Sequence, residues 1–245
     1  MKLISGGNII FNKLIQNSVK NVWLYSGGAV MPLIDCFNNQ KSINYFINTN
    51  EQNLGHSATG YAKSTGKPGV CIVTSGPGLT NLITPMLDAQ NDSVPLVVLS
   101  GQVGLKSLGT NAFQEAPSVD LTKVFTKWSY CVKKTEELPY VLDKAFRISM
   151  EGKKGVVHID LPKCILSNKI VETHLHSTDR KNKIEYFKCN DINSYYKSFQ
   201  NNKSKIELIE IMSKIINNSK KPVLCVGQGC NDYSEELTEL ANNGN

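Results

Sequence analysis

Apolar residues fall in short runs separated by amphipathic stretches along most of the chain. NVWLYSGG, KSINYFINT, GVCIVTSGPG, SVPLVVLSG and KKGVVHIDLP each hold a run of apolar, mostly β-branched or aromatic residues. Turn residues or a proline close the runs, and each predicts a strand. GVCIV and PLVVL are apolar throughout, as in parallel strands covered on both faces. Between the runs, helical spacing covers residues 5–18, 29–37, 51–65, 79–91 and 135–150. Pro162 closes the last of these strands. This alternation predicts an α/β domain: a doubly wound, mostly parallel sheet with helices on both faces.

After Pro162 the pattern changes. Residues 165–203 are polar, rich in Asn, Lys and Ser, and carry no clear period. A stretch that long does not suit the inside of one domain and reads as a linker. Helical spacing resumes at residues 205–216, followed by an expected strand, PVLCVGQG, and a helix over residues 233–242. That is the start of a second α/β domain. One strand–helix unit cannot bury its own faces, so the sequence reads as part of a longer enzyme. The expected division is 1–165 first domain, 166–203 linker and 204–245 the start of the second.

Composition narrows the function classes. The chain has 245 residues, with 40% hydrophobic and 20% charged content, which supports a packed core without disulfides. The net charge is +6, carried almost wholly by scattered lysines; Arg147 and Arg180 are the arginines. Scattered lysines suit a solvated surface and argue against a nucleic-acid partner. Seven cysteines without a C-x-x-C motif fit reduced, mostly buried thiols and a cytoplasmic protein. The first residues show no targeting segment, an organellar site stays open, and no run approaches a membrane span.

Four predicted strand ends carry glycine or polar loops. The turn Ser75-Gly76-Pro77-Gly78 follows an apolar strand and opens a helix. It is neither a Walker loop, having no G-K-[ST], nor G-x-G-x-x-G. Its glycines allow close approach of a ligand, but a tight capped turn fits the same residues equally well. Glu51 opens a helix after another strand, where an acid suits the helix dipole or faces a ligand. Small residues at Gly55, Ala58, Gly60 and Ala62 allow that helix to pack closely on a neighbour. LYSGGAVMP and the polar loop GQVGLKSLGTNAFQEAPSVD complete the set. In an open α/β sheet, ligands bind outside the carboxyl ends of the strands. His158, inside a strand, and His56, on the small-residue helix, read as packing residues. His174 and His176 lack acidic or Cys partners for a metal.

The stretches YSGGAVMPLID, NEQNLGHSATGYAKSTGKPGVCIVTSGPGLTN, TPMLDAQNDSVPLVVLSGQV, GTNAFQEA, FTKWSYCVKKTEELP and GVVHIDLPK follow one another in order. Together they resemble the N-terminal, pyrimidine-binding domain of thiamine-diphosphate enzymes, and among them the acetolactate synthase large subunit. KKPVLCVGQG resembles the start of that family's middle domain. The resemblance implies that Glu51 is the catalytic carboxyl, hydrogen-bonded to the aminopyrimidine of thiamine diphosphate. It implies that Tyr25, Thr74, Pro77, Asn81 and Gln114 lie near the cofactor, and that Gly27, Gly28 and Phe113 line the substrate channel. Tyr25 and Phe113 read equally well as packed aromatics, and Thr74 and Asn81 as helix caps. Two positions depart from the family: Asn50 stands where a His is common, and Ser26 where a Pro is common.

The implied activity is decarboxylation of pyruvate and joining of its two-carbon unit to a second 2-keto acid, in branched-chain amino acid biosynthesis. Mg²⁺ and the diphosphate would be held outside these residues, because the chain contains no Gly-Asp-Gly. FAD use stays open. A homodimer or tetramer and a regulatory subunit are the implied partners. Two alternatives fit the same residues: another thiamine-diphosphate decarboxylase or carboligase, and a non-catalytic dimerising module.

Overall fold

The computed structural model describes residues 3–38, 40–172 and 202–243. The chain forms two compact units, Met1–Lys183 and Ile184–Asn245. In the first, strands β2 (Asn21–Leu24), β3 (Asn44–Phe46), β4 (Gly69–Val73), β5 (Leu96–Gln102), β6 (Trp128–Cys131) and β7 (Val156–Pro162) form a six-stranded sheet. Its order is β3-β2-β4-β5-β7-β6, and every neighbouring pair is parallel. β4, β5 and β7 are buried along their whole length, which is why their sequences are apolar almost throughout.

Helices cover the sheet. Leu54, Ala58 and Ala62 on α3 (Glu51–Thr65), Leu82 just before α5 (Ile83–Asn91), and Met86 and Ala89 on α5 meet Trp23, Cys71, Val73, Leu96 and Val98 in one core cluster. α1 (Gly6–Gln16) packs against α2 (Met31–Ile34) and α7 (Leu138–Met150), and α7 lies against β7. Small residues set the helix–sheet spacing. A Cβ on Gly69 would lie 2.5 Å from the Ala58 carbonyl oxygen, and one on Gly55 would lie 2.5 Å from Pro85. The expectation of close packing by α3 therefore holds at Gly55 and Ala58.

Several elements differ from expectation, each for a local reason. The helix expected over 79–91 is two pieces, α4 (Pro77–Thr80) and α5. Pro85 has no N–H to give, so it is accommodated only in the first turn of a new helix. The helix expected over 29–37 shortens to α2 and a 3₁₀ turn, Asp35–Phe37. β6 was not expected; it is a four-residue, half-buried edge strand with too short a pattern to stand out. β1 (Leu3–Ser5) and β8 (Lys169–Val171) form a separate antiparallel pair, so regular structure continues past Pro162. α8 (Lys163–Ser167) lies between them and β7. Most of the expected linker, including His174 and His176, lies outside the described residues.

In the second unit the helices Asn202–Asn218 and Ser234–Asn243 form as the spacing predicts. The strand expected at PVLCVGQG does not: residues 222–227 have no regular structure, and Val223, Leu224 and Val226 are exposed. No described strand lies beside them, and a lone strand leaves its backbone groups unpaired.

Candidate functional site

From β2 the chain goes outward to β3, then crosses back past β2 to reach β4. The loops after β2 and β4 thus leave neighbouring strand ends in opposite directions. This is a topological switch point, and a crevice opens there at the carboxyl edge of an α/β sheet.

Three chain segments build the crevice. After β2, Tyr25 N–H donates to the Ile72 carbonyl at 3.0 Å, carrying the pairing with β4 one residue further. Its ring packs partly buried against the core. Gly27 then presses on Thr74: a Cβ there would lie 2.3 Å from Thr74 Cβ and 2.5 Å from its Oγ1. Gly28 beside it faces open space. After β4, the turn Thr74–Gly78 bends at Gly76, which has φ +58°. A side chain at Gly76 would also meet the Gln114 carbonyl oxygen at 2.7 Å. Glycine is required there both by the backbone angle and by the loop that follows β5.

The third segment brings Glu51. Asn50 caps α3, its Oδ1 accepting from Gln52 N–H at 2.7 Å, and Glu51 is the first helical residue. Its carboxylate sits at the positive end of the helix dipole. It is 8% exposed, unusual for a lone acid. Asn81, at the end of α4, donates from Nδ2 to Glu51 Oε2 at 3.0 Å. The backbone N–H of Asn81 donates to the Pro77 carbonyl, so the glycine turn itself aims this amide. No other described group bonds the Glu51 carboxylate, which leaves Oε1 unengaged. A second polar atom is also left over: Thr74 Oγ1 is buried without a hydrogen-bond partner among the described residues. Leaving such a hydroxyl unpaired costs roughly 1–3 kcal/mol.

The structure therefore brings together Tyr25, Gly27, Glu51, Thr74, Gly76, Pro77, Asn81 and the backbone of Gln114. Thr74 caps no helix: α4 starts at Pro77, after Gly76. Phe113 is 88% exposed and packs on nothing, so the packed-aromatic alternative fails there. His56 is also exposed rather than a packing residue. Its Nδ1 lies 3.8 Å from Asp88 Oδ2. Among the described residues no group of three or more His, Cys, Asp or Glu side chains could hold a metal ion.

A second polar cluster lies under the ends of β5 and β7. Ser100 Oγ is 2.7 Å from His158 Nε2 and donates to Asp160 Oδ1 at 2.8 Å. Thr122 Oγ1 is 2.8 Å from His158 Nδ1. Gln102 Nε2 donates to Asp160 Oδ2, to Ser118 Oγ and to the Ala116 carbonyl, at 2.9–3.0 Å. Burial pushes His158 down to about 3, so the ring is neutral. Burial also pushes Asp160 up to about 6, against the hydrogen bonds from Ser100 and Gln102 that favour its charge. A Ser, a His and an Asp together suggest a nucleophile, but Ser100 and His158 are fully buried and the hydroxyl is shared between both partners. The sequence reading missed this cluster; its signal was the alternation of His158 and Asp160 inside an otherwise apolar strand.

Residues 4–123 match the family described as thiamine pyrophosphate enzyme, N-terminal TPP binding domain. This region belongs to the thiamine pyrophosphate enzyme family. Among similar proteins, the mitochondrial acetolactate synthase catalytic subunit of Saccharomyces cerevisiae is 40% identical over 237 residues, covering 95% of this chain and 33% of that protein. The acetolactate synthase large subunit of Lactococcus lactis is 37% identical, covering 94% of this chain and 37% of its own length. The chloroplastic acetolactate synthase of Arabidopsis thaliana is 37% identical over 95% of this chain and 33% of that protein. The chain spans about a third of the length of the curated relatives it matches. Among the described residues no helix is long and apolar enough to cross a membrane.

Proposed function

We propose that this chain supplies the pyrimidine-binding half of the cofactor site in a thiamine-diphosphate-dependent acetolactate synthase. The observation that carries the proposal is the buried Glu51 carboxyl, engaged on one oxygen by Asn81 and open on the other, at the switch-point crevice. The residues fit an aminopyrimidine. It offers ring nitrogens and an exocyclic amine to groups such as Glu51 Oε1 and the orphaned Thr74 Oγ1. Gly27 and Gly76 bring the Thr74 side chain and the Gln114 backbone close around it, since a Cβ at either glycine would strike them.

Bound thiamine diphosphate would supply a thiazolium carbon that adds to a keto group and accepts the electrons left when carbon dioxide departs. This chain's residues bind and orient it. Glu51 presents Oε1 to a ring nitrogen as a hydrogen-bond partner, and a largely water-free setting strengthens that hydrogen bond. Asn81 fixes the carboxyl plane by occupying Oε2. Thr74 supplies a hydroxyl from the floor, and Tyr25 and Pro77 border the crevice. Gly28 leaves open space, and exposed Phe113 and Gln114 form an edge suited to a 2-keto acid. Mg²⁺ and the diphosphate are assigned to residues outside this chain, and FAD, if used, likewise. A homodimer or tetramer completes the site in this proposal. The catalytic- and large-subunit names of the relatives support a regulatory partner.

The whole protein is tested by acetolactate formation from pyruvate, with and without thiamine diphosphate and Mg²⁺. Product that depends on both supports the proposal. Carbon dioxide release with another carboligation product would move the chain to a different thiamine-diphosphate activity, and no consumption of pyruvate would overturn it.

A further inference from the structure

The loop between β5 and α6 (Ser118–Thr122) holds Phe113 and Gln114 in an unusual backbone. Gly109, Asn111 and Gln114 all have positive φ, at +80°, +59° and +58°. Two of these carry side chains, which disfavour that region. Something must hold the loop there, and the side chain that does so is Glu115. One carboxylate oxygen accepts from Gly109 N–H and the other from Ala112 N–H. The amides of Asn111 and Thr110 favour the same charge, and together these bonds hold the carboxyl below the usual range. Glu115 N–H in turn donates to the Ala112 carbonyl at 2.9 Å. The Gly109 and Ala112 amides converge on the carboxylate and form a nest for an anion that belongs to the loop itself.

The nest has a consequence at the crevice. It fixes residues 109–114, so it sets where the Gln114 backbone rests on Gly76 and where exposed Phe113 stands. The far end of the loop is held independently, by Gln102 on the Ala116 carbonyl and on Ser118. Loss of Glu115 therefore loosens the tip and leaves the anchorage intact. We infer that Glu115 is a positioning residue: its carboxylate prebuilds the Phe113–Gln114 edge of the site, so that this edge need not be ordered by substrate. The inference rests on the proposed function.

The test is a mutant cycle in the whole enzyme. Glu115→Ala is expected to lower kcat/KM for pyruvate on the order of tenfold, since small misplacements of positioning groups carry costs of that size or more. Melting temperature stays at the parent value, because the loop tip adds little to the core. Glu115→Gln keeps one acceptor oxygen and recovers part of the loss. In a Phe113→Ala/Gln114→Ala background, adding Glu115→Ala has a smaller effect than in the parent, because the side chains of that edge are gone and only its backbone remains to be positioned. A loss that multiplies on that background, or a Glu115→Ala enzyme equal to the parent, overturns the inference. Failure of the proposed function reads out differently, as parent enzyme indifferent to thiamine diphosphate.

Discussion

Two polar clusters sit at the carboxyl edge of the same sheet, and they are finished to different degrees. Around Ser100, Gln102, His158 and Asp160, buried polar side chains have partners within the domain. In the switch-point crevice, Thr74 Oγ1 has none and Glu51 has one. A closed network rigidifies the fold; an incomplete one is stable only if something else completes it. Under the proposed function, that difference separates structural from functional polar residues without reference to residue type. By type alone, Ser, His and Asp would have looked the more catalytic set.

That contrast can be broken by mutation. His158→Ala removes one partner each from Ser100 and Thr122 and opens a cavity, so the domain should lose about 4 kcal/mol in denaturant unfolding. Activity per folded molecule should be retained. A stable but inactive variant would place His158 in the chemistry and erase the distinction.

A smaller effect concerns pH. Asp160 rises from the ordinary 3.8 to about 6 on folding, so its stabilisation is complete below pH 4 and is lost as pH rises through 6. His158 falls from 6.5 to about 3, so its stabilisation is complete above pH 6.5 and is lost as pH falls toward 3. The two oppose each other between pH 4 and 6. Asp160→Asn leaves His158 unopposed, and the variant should lose about 2 kcal/mol more than the parent on acidification across that window. Parallel unfolding profiles would show that the pair does not titrate as described.

The smallest effect on stability belongs to the crevice. Thr74→Val replaces an orphaned hydroxyl by a methyl of similar shape, so unfolding free energy should stay within about 1 kcal/mol of the parent or rise. Affinity of the whole enzyme for thiamine diphosphate should fall. A strongly destabilised Thr74→Val would mean that the hydroxyl already has a partner, and the crevice would then be as closed as the other cluster.

How much of this could be read from sequence depended on the range of the interaction. α3 was legible to the residue, because Asn50 caps it, Glu51 begins it and Gly66 at φ +69° ends it. The glycine turn was legible as a turn, but its ligand-binding and capping readings stayed level. The packing of Gln114 on Gly76, a contact over long sequence distance, and the unpaired Thr74 hydroxyl could not be read from the turn's own residues. The Asn81–Glu51 bond spans 30 residues and depends on the break before Pro85, which periodicity did not show. Glu115 was invisible for the opposite reason: its partners are backbone amides, which carry no residue identity. In the second unit, spacing predicted a helix over residues 205–216 and Asn202–Asn218 forms, yet Ile206, Ile209, Met212 and Ile215 are exposed. A helical period marks an apolar face without saying what covers it.

The central claim is that the open oxygen of Glu51 serves the pyrimidine ring. Hydrogen–deuterium exchange at the thiazolium C2 of bound thiamine diphosphate, followed by NMR in the whole enzyme, tests it most directly. The parent should exchange this proton far faster than free cofactor, and Glu51→Gln should return the rate at least a hundredfold toward the free value. Parent-like exchange in the Glu51→Gln enzyme would contradict the account.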